Sequence, residues 1–341
     1  MKRQTVTFTA PRQVELREES LPALGADDVL VETICSAISA GTEMLVYRGQ
    51  FPHLIDSHDK LSSDLNYPLA YGYASVGVIK ETGKQVDKSL LDKLVFGFQP
   101  HTSAFICNPS ALIFAPASLS AEACCFLPNM ETAVNLVQDA APILGERVLV
   151  LGQGVIGLLV TALLKEFPLA SLVTSDCYEL RRDTSSGLGA NDSFDPELIS
   201  NNKILDHNEP THLSAYAQNF DLTFELSGSP SALNDAIAMT TFSGRIVVGS
   251  WYGEKQAQID LGTTFHRSRI KLISSQVSTI APELSGRWNK ARRFEVAWEA
   301  LKRIQPQKWI THRFPIEEAH KAYELLDKNP QETIQVIFEY K

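Results

Sequence analysis

The sequence lacks long apolar segments and clusters of basic residues, and each absence excludes a class of protein. Every apolar stretch of the 341-residue chain is interrupted before the roughly 18 residues that a membrane-spanning helix requires. Lys and Arg number 31 against 40 Asp and Glu, and no run of them is long enough to form a nucleic-acid-binding surface. We therefore expect neither a membrane nor a nucleic acid as a partner.

Cysteine is also scarce. The cysteines form an odd set without a CxxC pair: Cys35, Cys107, Cys124, Cys125 and Cys177. A disulfide framework is therefore not expected, and a reducing cytoplasm fits this usage best. The amino-terminal segment begins with Lys2 and Arg3 but has no apolar region behind them, so it does not read as a signal peptide. These features predict a cytoplasmic location.

What the chain does contain is typical of a two-domain globular protein. Residues 1–120 are β-rich, with short apolar segments between Gly, Pro and Asn. Residues 121–274 alternate between apolar strand and helix patterns, which predicts a parallel sheet covered by helices on both faces. Residues 275–341 return to mixed structure. We therefore predict an α/β fold in which the parallel-sheet domain, 121–274, is inserted into a domain made of 1–120 and 275–341.

A glycine-rich turn follows the first strand of the alternating segment. Gly152, Gly154 and Gly157 make a GxGxxG between a strand and an apolar helix. The first glycine allows the tight turn, the second lets a pyrophosphate approach the backbone, and the third lets helix and strand pack closely. The helix start at Val155 and Ile156 presents free N–H groups and a positive dipole end to the phosphates. The motif predicts a dinucleotide-binding Rossmann domain, and the alternative is such a domain without its nucleotide.

An acidic residue stands at the end of the next strand. Asp176 lies 19 residues beyond Gly157, where a carboxylate accepts hydrogen bonds from the adenosine ribose hydroxyls. Because a carboxylate repels a 2′-phosphate, Asp176 favours NAD over NADP. Arg181 and Arg182 follow closely, which makes Arg181 a candidate cofactor-binding residue and keeps NADP as the second choice. The alternative is that both arginines form a solvated helix face.

Two later turns are also candidates for the cofactor site. Ser227-Gly228 and Gly249-Ser250 each follow an apolar strand of the alternating segment. Because ligands bind outside the carboxyl ends of the strands in such sheets, these turns are expected near the nicotinamide or its ribose. Ordinary loop glycines are the competing interpretation.

Longer segments of the chain carry a resemblance to a known family. They are AGTEMLVYRGQFP, YPLAYGYASVGVI, LPNMETAVNLVQDAAPILGERVLVLGQGVIGLL and ITHRFPIEEAHKAYELL. With them the chain resembles the medium-chain dehydrogenase/reductase superfamily, the zinc alcohol dehydrogenase-like proteins, over almost its whole length. The first two segments look most similar to bacteriochlorophyllide dehydrogenase-like members. The resemblance implies a Rossmann doubly wound parallel sheet, 121–274, inserted into a GroES-like β-rich catalytic domain, 1–120 and 275–341.

The zinc ligands of that superfamily are missing at the matching positions. Zinc-binding members have a catalytic Cys in a Cys-Gly-Thr-Asp phrase, and here the matching residues are Ala40-Gly41-Thr42-Glu43. They have a His-Glu pair after a glycine, and here Tyr73-Ala74 follow Gly72. Cys107 stands alone where four cysteines hold a structural zinc. Since alanine cannot bind a metal and a phenol is a poor zinc ligand, we predict no zinc.

Without a Lewis acid, another group must stabilise the developing oxyanion or supply a proton. The residues that match the family's active-site shell are Thr42, Glu43, Tyr47, Tyr73, His101 and Glu131. Tyr73 stands in a metal-ligand position, so its hydroxyl is a candidate donor to a substrate oxygen. Thr42 matches the family's proton-relay hydroxyl, and His101 is a candidate acid or base because imidazole groups in general titrate near neutrality. Glu131 lies in a segment that supplies a metal ligand in some relatives, and Glu43 completes the catalytic candidates.

Each of these residues also has a structural interpretation. Tyr73 and His101 are alternatively packing residues whose polar atoms are satisfied, and Glu43 alternatively pairs with Arg48. One loop contains four more side chains of metal-ligating type, which are His53, Asp56, His58 and Asp59. Because their spacing is not that of a regular ligand set, a solvated loop is favoured over a metal site there.

The sequence thus leads to a zinc-independent NAD(P)-dependent oxidoreductase. Hydride passes between nicotinamide and a small-molecule substrate, either an alcohol/carbonyl pair or a conjugated enone. The alternative from another class is a non-catalytic NAD(P)-binding sensor or interaction protein on the same fold. The family resemblance also implies a homodimer, which we expect to form along a strand edge near Arg269–Gln276.

Overall fold

A computed structural model of the chain describes residues 2–51, 65–200 and 219–341. The loop cluster of His53, Asp56, His58 and Asp59 therefore lies outside the described residues. The strands are β1 (Lys2–Ala10), β2 (Gln13–Ser20), β3 (Val29–Ala37), β4 (Leu69–Ala70), β5 (Ser75–Thr82), β6 (Leu94–Gly97), β7 (Ala104–Cys107), β8 (Leu112–Phe114), β9 (Arg147–Leu151), β10 (Ser171–Ser175), β11 (Asp192–Phe194), β12 (Phe220–Glu225), β13 (Thr240–Val248), β14 (Lys271–Ser274), β15 (Ile310–Pro315) and β16 (Gln335–Glu339).

The α-helices alternate with strands in the middle of the chain and are sparse elsewhere. They are α1 (Thr42–Arg48), α2 (Ala121–Cys124), α3 (Leu127–Ala140), α4 (Val155–Leu164), α5 (Glu179–Gly187), α6 (Glu197–Ser200), α7 (Ala232–Met239), α8 (Lys290–Ile304) and α9 (Ala319–Lys328). Within the described residues, none of the helices has the length and apolar character needed to cross a bilayer.

The contacts of the chain divide it into two compact units. The first comprises Met1–Pro128 and Leu301–Lys341, and the second comprises Asn129–Ala300. These limits differ from the predicted 121–274 because α3 and the segment behind β14 pack within the second unit. The side-chain amide of Asn135 in α3, for example, donates to Ser275 Oγ at 2.9 Å.

The first unit is built mainly from antiparallel strands. Its larger sheet has the order β15-β16-β3-β5-β6-β8, with β7 also paired to β3, and a smaller sheet has the order β2-β1-β4. The strand β16 pairs in parallel with β15 and antiparallel with β3. Buried aromatic residues from distant parts of the chain share its core, with Phe8, Tyr323 and Phe338 among them. The carboxyl-terminal segment thus completes the sheet that the amino-terminal segment begins.

The second unit is built around a parallel sheet. Its order is β11-β10-β9-β12-β13-β14, and every neighbouring pair is parallel. In chain order this is the 3-2-1-4-5-6 arrangement of a Rossmann domain. The strand β9, with the sequence RVLVL, is buried over four of its five residues, as expected for a strand covered on both faces. The predicted α/β class, with a doubly wound parallel sheet and a separate β-rich unit, is confirmed.

Candidate active site

The glycine-rich turn in the second unit has the geometry that its sequence motif requires. Gly152 has a φ of +90°, and a Cβ there would lie 2.6 Å from the backbone of Leu226. A Cβ on Gly157 would lie 1.9 Å from the carbonyl oxygen of Gly152. Around Gly154, by contrast, a Cβ would meet nothing within 4 Å. The turn is therefore packed closely against the sheet at Gly152 and Gly157, and it has free space at Gly154, where a pyrophosphate would approach the main chain.

The helix α4 begins directly at this turn. Gly154 is its N-cap residue, and the first helical hydrogen bond runs from the N–H of Leu158 to the carbonyl oxygen of Gly154 at 2.9 Å. The N–H groups of Val155 and Ile156 therefore lie in the first helical turn, which has no intrahelical acceptors for them. A pyrophosphate fits such a helix start, because it accepts hydrogen bonds and carries negative charge.

Asp176 follows the end of β10 and is tied to the same turn. Its carboxylate accepts the N–H of Gln153 at 2.7 Å and the N–H of Tyr178 at 2.9 Å, and only 7% of the residue is exposed. Arg181 Nη1 lies 3.9 Å from Asp176 Oδ2, and Arg182 Nη1 donates to the carbonyl oxygen of Asp176 at 2.8 Å. The structure thus brings the predicted ribose acceptor and the candidate Arg181 together.

The two later turns meet at the carboxyl ends of β12 and β13. The N–H of Gly228 donates to Ser250 Oγ at 2.9 Å, and the N–H of Gly249 donates to the carbonyl oxygen of Glu225 at 3.1 Å. Ser227 also adjoins the glycine-rich turn, since its Cα lies 2.6 Å from where a Gly152 Cβ would be. All the cofactor candidates therefore lie along one edge of the parallel sheet.

Glu225 and Tyr252 belong to this edge, and the sequence did not point to them. Glu225 is fully buried, and its carboxylate accepts the N–H of Ser227 at 2.8 Å, the Ser227 hydroxyl, and the Tyr252 hydroxyl at 2.5 Å. Burial and the negative charge of Glu225 raise the pKa of Tyr252. The available signal was an acidic residue at the carboxyl end of a strand, directly before the turn at Ser227 and Gly228.

In the first unit, Tyr73 lies beside two hydroxyl groups. Its hydroxyl donates to Ser39 Oγ at 2.5 Å and lies 3.5 Å from Thr42 Oγ1. Burial raises the pKa of Tyr73, and its hydrogen bonds with Ser39 and Thr42 only partly oppose that effect. The phenol therefore stays protonated at neutral pH and acts as a donor. Ser39 is the member of this group that the sequence did not predict.

Glu43 and His101 form a buried network beneath this group. His101 Nε2 lies 2.9 Å from Glu43 Oε2, and His101 Nδ1 lies 2.6 Å from Ser36 Oγ. Glu43 also accepts the Tyr323 hydroxyl at 2.6 Å and the N–H of Ser39 at 2.8 Å. Both side chains are fully buried and both ring nitrogens are engaged, so the geometry argues against direct acid–base catalysis by either residue.

The sequence offered a pairing of Glu43 with Arg48 as an alternative, and in the structure each of the two side chains binds other partners. Arg48 lies at the end of α1, and its Nε donates to Asp327 Oδ1 at 2.6 Å. Glu43 instead lies in the first turn of the same helix and holds the Ser39 backbone. Its place in the network is therefore structural.

Glu131, in the second unit, is engaged by basic residues. Arg293 donates to Glu131 Oε1 from Nη2 at 2.8 Å and from Nε at 3.1 Å, and Lys290 Nζ lies 3.3 Å from the same oxygen. Arg293 is fully buried and also donates to Asn135 Oδ1 at 2.5 Å. This buried ion pair argues against Glu131 as a metal ligand or proton carrier. Arg293 lies far from Glu131 in sequence, so no local pattern indicated it.

The side chains at the zinc-ligand positions do not fit a zinc ion. Ala40 and Ala74 offer no donor atom, and the Tyr73 hydroxyl is hydrogen bonded to Ser39. Within residues 2–51, 65–200 and 219–341, no group of three or more His, Cys, Asp or Glu side chains is arranged to hold a metal ion.

A parallel sheet in the 3-2-1-4-5-6 order, with a complete glycine-rich turn after its first strand, is the arrangement of the Rossmann fold. No protein-family model matches the chain. It is 24% identical to an L-idonate 5-dehydrogenase (NAD(P)(+)) of Escherichia coli K12, over 65% of this chain and 59% of that protein. It is 21% identical to the starvation-sensing protein RspB of the same strain, over 98% of this chain and 99% of that protein.

A solved structure shares the fold over nearly its whole length. The short chain alcohol dehydrogenase RspB of E. coli CFT073, complexed with NADH, superposes with a TM-score of 0.76 at 17% identity, covering 99% of each chain. The chain is thus similar in sequence to medium-chain dehydrogenases and shares their fold.

Proposed function

We propose that this protein is a zinc-independent, NAD-dependent oxidoreductase that acts on a small alcohol/carbonyl pair or a conjugated enone. The observation that carries the proposal is the group formed by Tyr73, Ser39 and Thr42. It puts a protonated phenol at a position where zinc-dependent relatives have a metal ligand. Ala40 and Ala74 take the place of the neighbouring ligands.

When bound, a nicotinamide cofactor would supply or accept the hydride. Tyr73 turns its O–H from Ser39 Oγ toward the substrate oxygen on which negative charge develops, and donates a hydrogen bond and then its proton to that oxygen. Ser39 and Thr42 orient the phenol. Glu43 holds the backbone of Ser39 in place and is itself held by His101, so these two residues position the donor without contacting the substrate. Enone reduction fits this arrangement because hydrogen bonds alone can stabilise an enolate.

Asp176 supports NAD as the cofactor, with NADP as the second choice. Its carboxylate lies at the turn where the adenosine ribose binds in Rossmann domains, and it disfavours a 2′-phosphate. Arg181 and Arg182 beside it keep NADP in consideration. The NADH-bound RspB structure and the NAD(P)(+) in the name of the idonate dehydrogenase agree with a nicotinamide dinucleotide.

We further propose a cytoplasmic homodimer. The five cysteines are all free thiols, as expected in a reducing compartment. Among the described strands, β14 is at the edge of the parallel sheet, and Leu272 on it is 47% exposed. A second copy of the chain that pairs along β14 would cover this edge.

The test is an assay of chelator-treated protein with NADH and a panel of aldehydes, ketones and enones. We expect turnover that added zinc does not raise. Tyr73→Phe should lower kcat by about 100-fold, the usual contribution of a general acid, with NADH affinity unchanged. The matched control is Tyr71→Phe, which removes a nearby phenol and should leave kcat within about twofold, as is usual away from the reacting atoms.

Activity that disappears with chelation and returns with zinc would contradict the proposal. An unchanged kcat in Tyr73→Phe would remove Tyr73 from the mechanism. Tight NADH binding without turnover across the panel would favour the non-catalytic NAD(P)-binding alternative.

A further inference from the structure

A buried carboxylate lies at the nicotinamide half of the predicted cofactor site. Glu225 ends β12 and is fully buried, and its oxygens accept hydrogen bonds from the Ser227 backbone, the Ser227 hydroxyl and the Tyr252 hydroxyl. These partners match an ionised carboxylate, which can only accept hydrogen bonds. The Glu225 charge is thus held by amide and hydroxyl dipoles inside the second unit.

The place of Glu225 in the sheet relates it to the dinucleotide. It pairs in register with Leu151, the residue before Gly152, and with Val248, the residue before Gly249. In a sheet of this order the dinucleotide lies across the carboxyl ends of the strands. One mononucleotide half lies over β9, β10 and β11, and the other lies over β12, β13 and β14. Asp176 marks the adenosine half, so Glu225 belongs to the nicotinamide half.

The two redox forms of the cofactor differ in charge on that half. The nicotinamide ring of NAD⁺ is cationic and the ring of NADH is neutral, while the rest of the dinucleotide is the same in both. A fixed charge near the ring therefore contributes to the difference between the two affinities. Two unit charges several ångströms apart in a partly buried site interact strongly enough to change an affinity by about tenfold or more.

We propose that Glu225 sets the redox preference of the cofactor site by favouring NAD⁺ over NADH. The inference rests on the proposed NAD-binding function. A tenfold preference lowers the potential of the bound two-electron couple by about 30 mV, which makes bound NADH a stronger hydride donor. A purely structural role, in which the Glu225 carboxylate only holds Ser227 and the Tyr252 hydroxyl in place, would change both affinities alike.

The experiment measures the Kd of NAD⁺ and of NADH by calorimetry on the full chain. Glu225→Gln removes the charge but keeps an oxygen for Ser227 and an amide that can reach the Tyr252 hydroxyl. We expect it to weaken NAD⁺ binding by about tenfold or more and to leave NADH binding within about twofold, since only the oxidised ring is cationic.

The matched control is Asp221→Asn, which makes the same change of charge on the same strand. Asp221 lies near the amino end of β12, about 13 Å from Glu225 along an extended strand, and accepts the N–H of Arg147 at 2.8 Å. It should leave the ratio of the two Kd values unchanged.

The outcomes separate the two levels of the proposal. If the unaltered protein binds neither NAD⁺ nor NADH, the proposed cofactor function fails. If it binds both and Glu225→Gln weakens both equally or changes neither, the redox role of Glu225 is overturned and the cofactor function stands. If Glu225→Gln does not fold, Tyr252→Phe removes one donor and keeps the charge. That variant should retain the preference for NAD⁺, and its loss would also overturn the inference.

Discussion

At the scale of single residues, the glycine-rich turn is set by steric exclusion. The atom that a Cβ on Gly157 would strike is the carbonyl oxygen of Gly152, so relief would require moving the turn itself. Gly152 has both a positive φ and the backbone of Leu226 close by. Because these demands come from the backbone, the motif in the sequence was sufficient to predict the turn.

Gly157→Ala tests this exclusion. We expect overpacking to lower the free energy of unfolding by about 1–3 kcal/mol and to weaken NADH binding, because the helix start must shift. Calorimetric Kd values and urea unfolding measure the two effects. Gly187→Ala is the control: it lies at the end of α5 with nothing within 4 Å of a Cβ, so it should be neutral or stabilising by up to about 1 kcal/mol. Wild-type affinity in Gly157→Ala would contradict the steric explanation.

The catalytic candidates were harder to predict from the sequence than the turn. Residue type and family position indicated His101 and Glu43, but their partners Ser36 and Tyr323 come from distant parts of the chain. Burial and saturation of hydrogen bonds decide whether a titratable side chain reaches a substrate, and neither can be read from a local pattern. For the same reason the sequence did not indicate Glu225.

At the scale of elements, a shared carboxylate joins α9 to α1. Asp327 of α9 accepts hydrogen bonds from Arg48 Nε at 2.6 Å and from Arg12 Nε at 3.0 Å. Burial of Asp327 acts to raise its pKa, but the two guanidinium groups outweigh burial and lower the pKa of the carboxyl below its usual value. A carboxyl of this kind stabilises the fold above its unfolded pKa, and that stabilisation disappears as the pH falls through its folded pKa.

Asp327→Asn should therefore destabilise the protein in a pH-dependent way. We expect a loss of about 1 kcal/mol in the free energy of unfolding at neutral pH, and a difference from the unaltered protein that shrinks steadily as the pH falls below the unfolded pKa of an aspartate, about 3.9. Urea unfolding of both proteins between neutral and acid pH measures this difference in the free energy of unfolding. Asp92→Asn, whose carboxyl is exposed and 3.7 Å from Lys80, should show no comparable trend. A difference that persists undiminished in acid would show that the ion pairs are not its source.

Most elements of the parallel sheet follow from their own sequence. A continuous apolar segment such as β9 predicts a strand that is covered on both faces, and four of its five residues are buried. The pairing of β16 with β3 has no comparable signal, because each strand alone reads only as a short apolar segment. Long-range pairing is decided by the whole chain, so this part of the fold came from family resemblance.

At the scale of the whole molecule, the edge of the parallel sheet predicts association. We expect light scattering to give twice the mass of one chain, and Leu272→Lys to shift the equilibrium toward monomer, since it places a charge on the edge strand β14. Leu144→Lys alters a more exposed leucine, 77% against 47%, and should leave the mass unchanged. A monomer in the unaltered protein, or equal effects of both substitutions, would argue against this interface.

The insertion of residues 129–300 between the two segments of the first unit has a consequence for synthesis. The strand β3 leaves the ribosome early, whereas its neighbour β16 spans Gln335–Glu339. At about 5–20 residues per second, roughly 15–60 s separate the two strands. During that interval one edge of β3 has no native neighbour to pair with. The strands of the inserted parallel sheet are all synthesised before β16. The nascent chain can therefore finish its nucleotide-binding unit before its first unit closes.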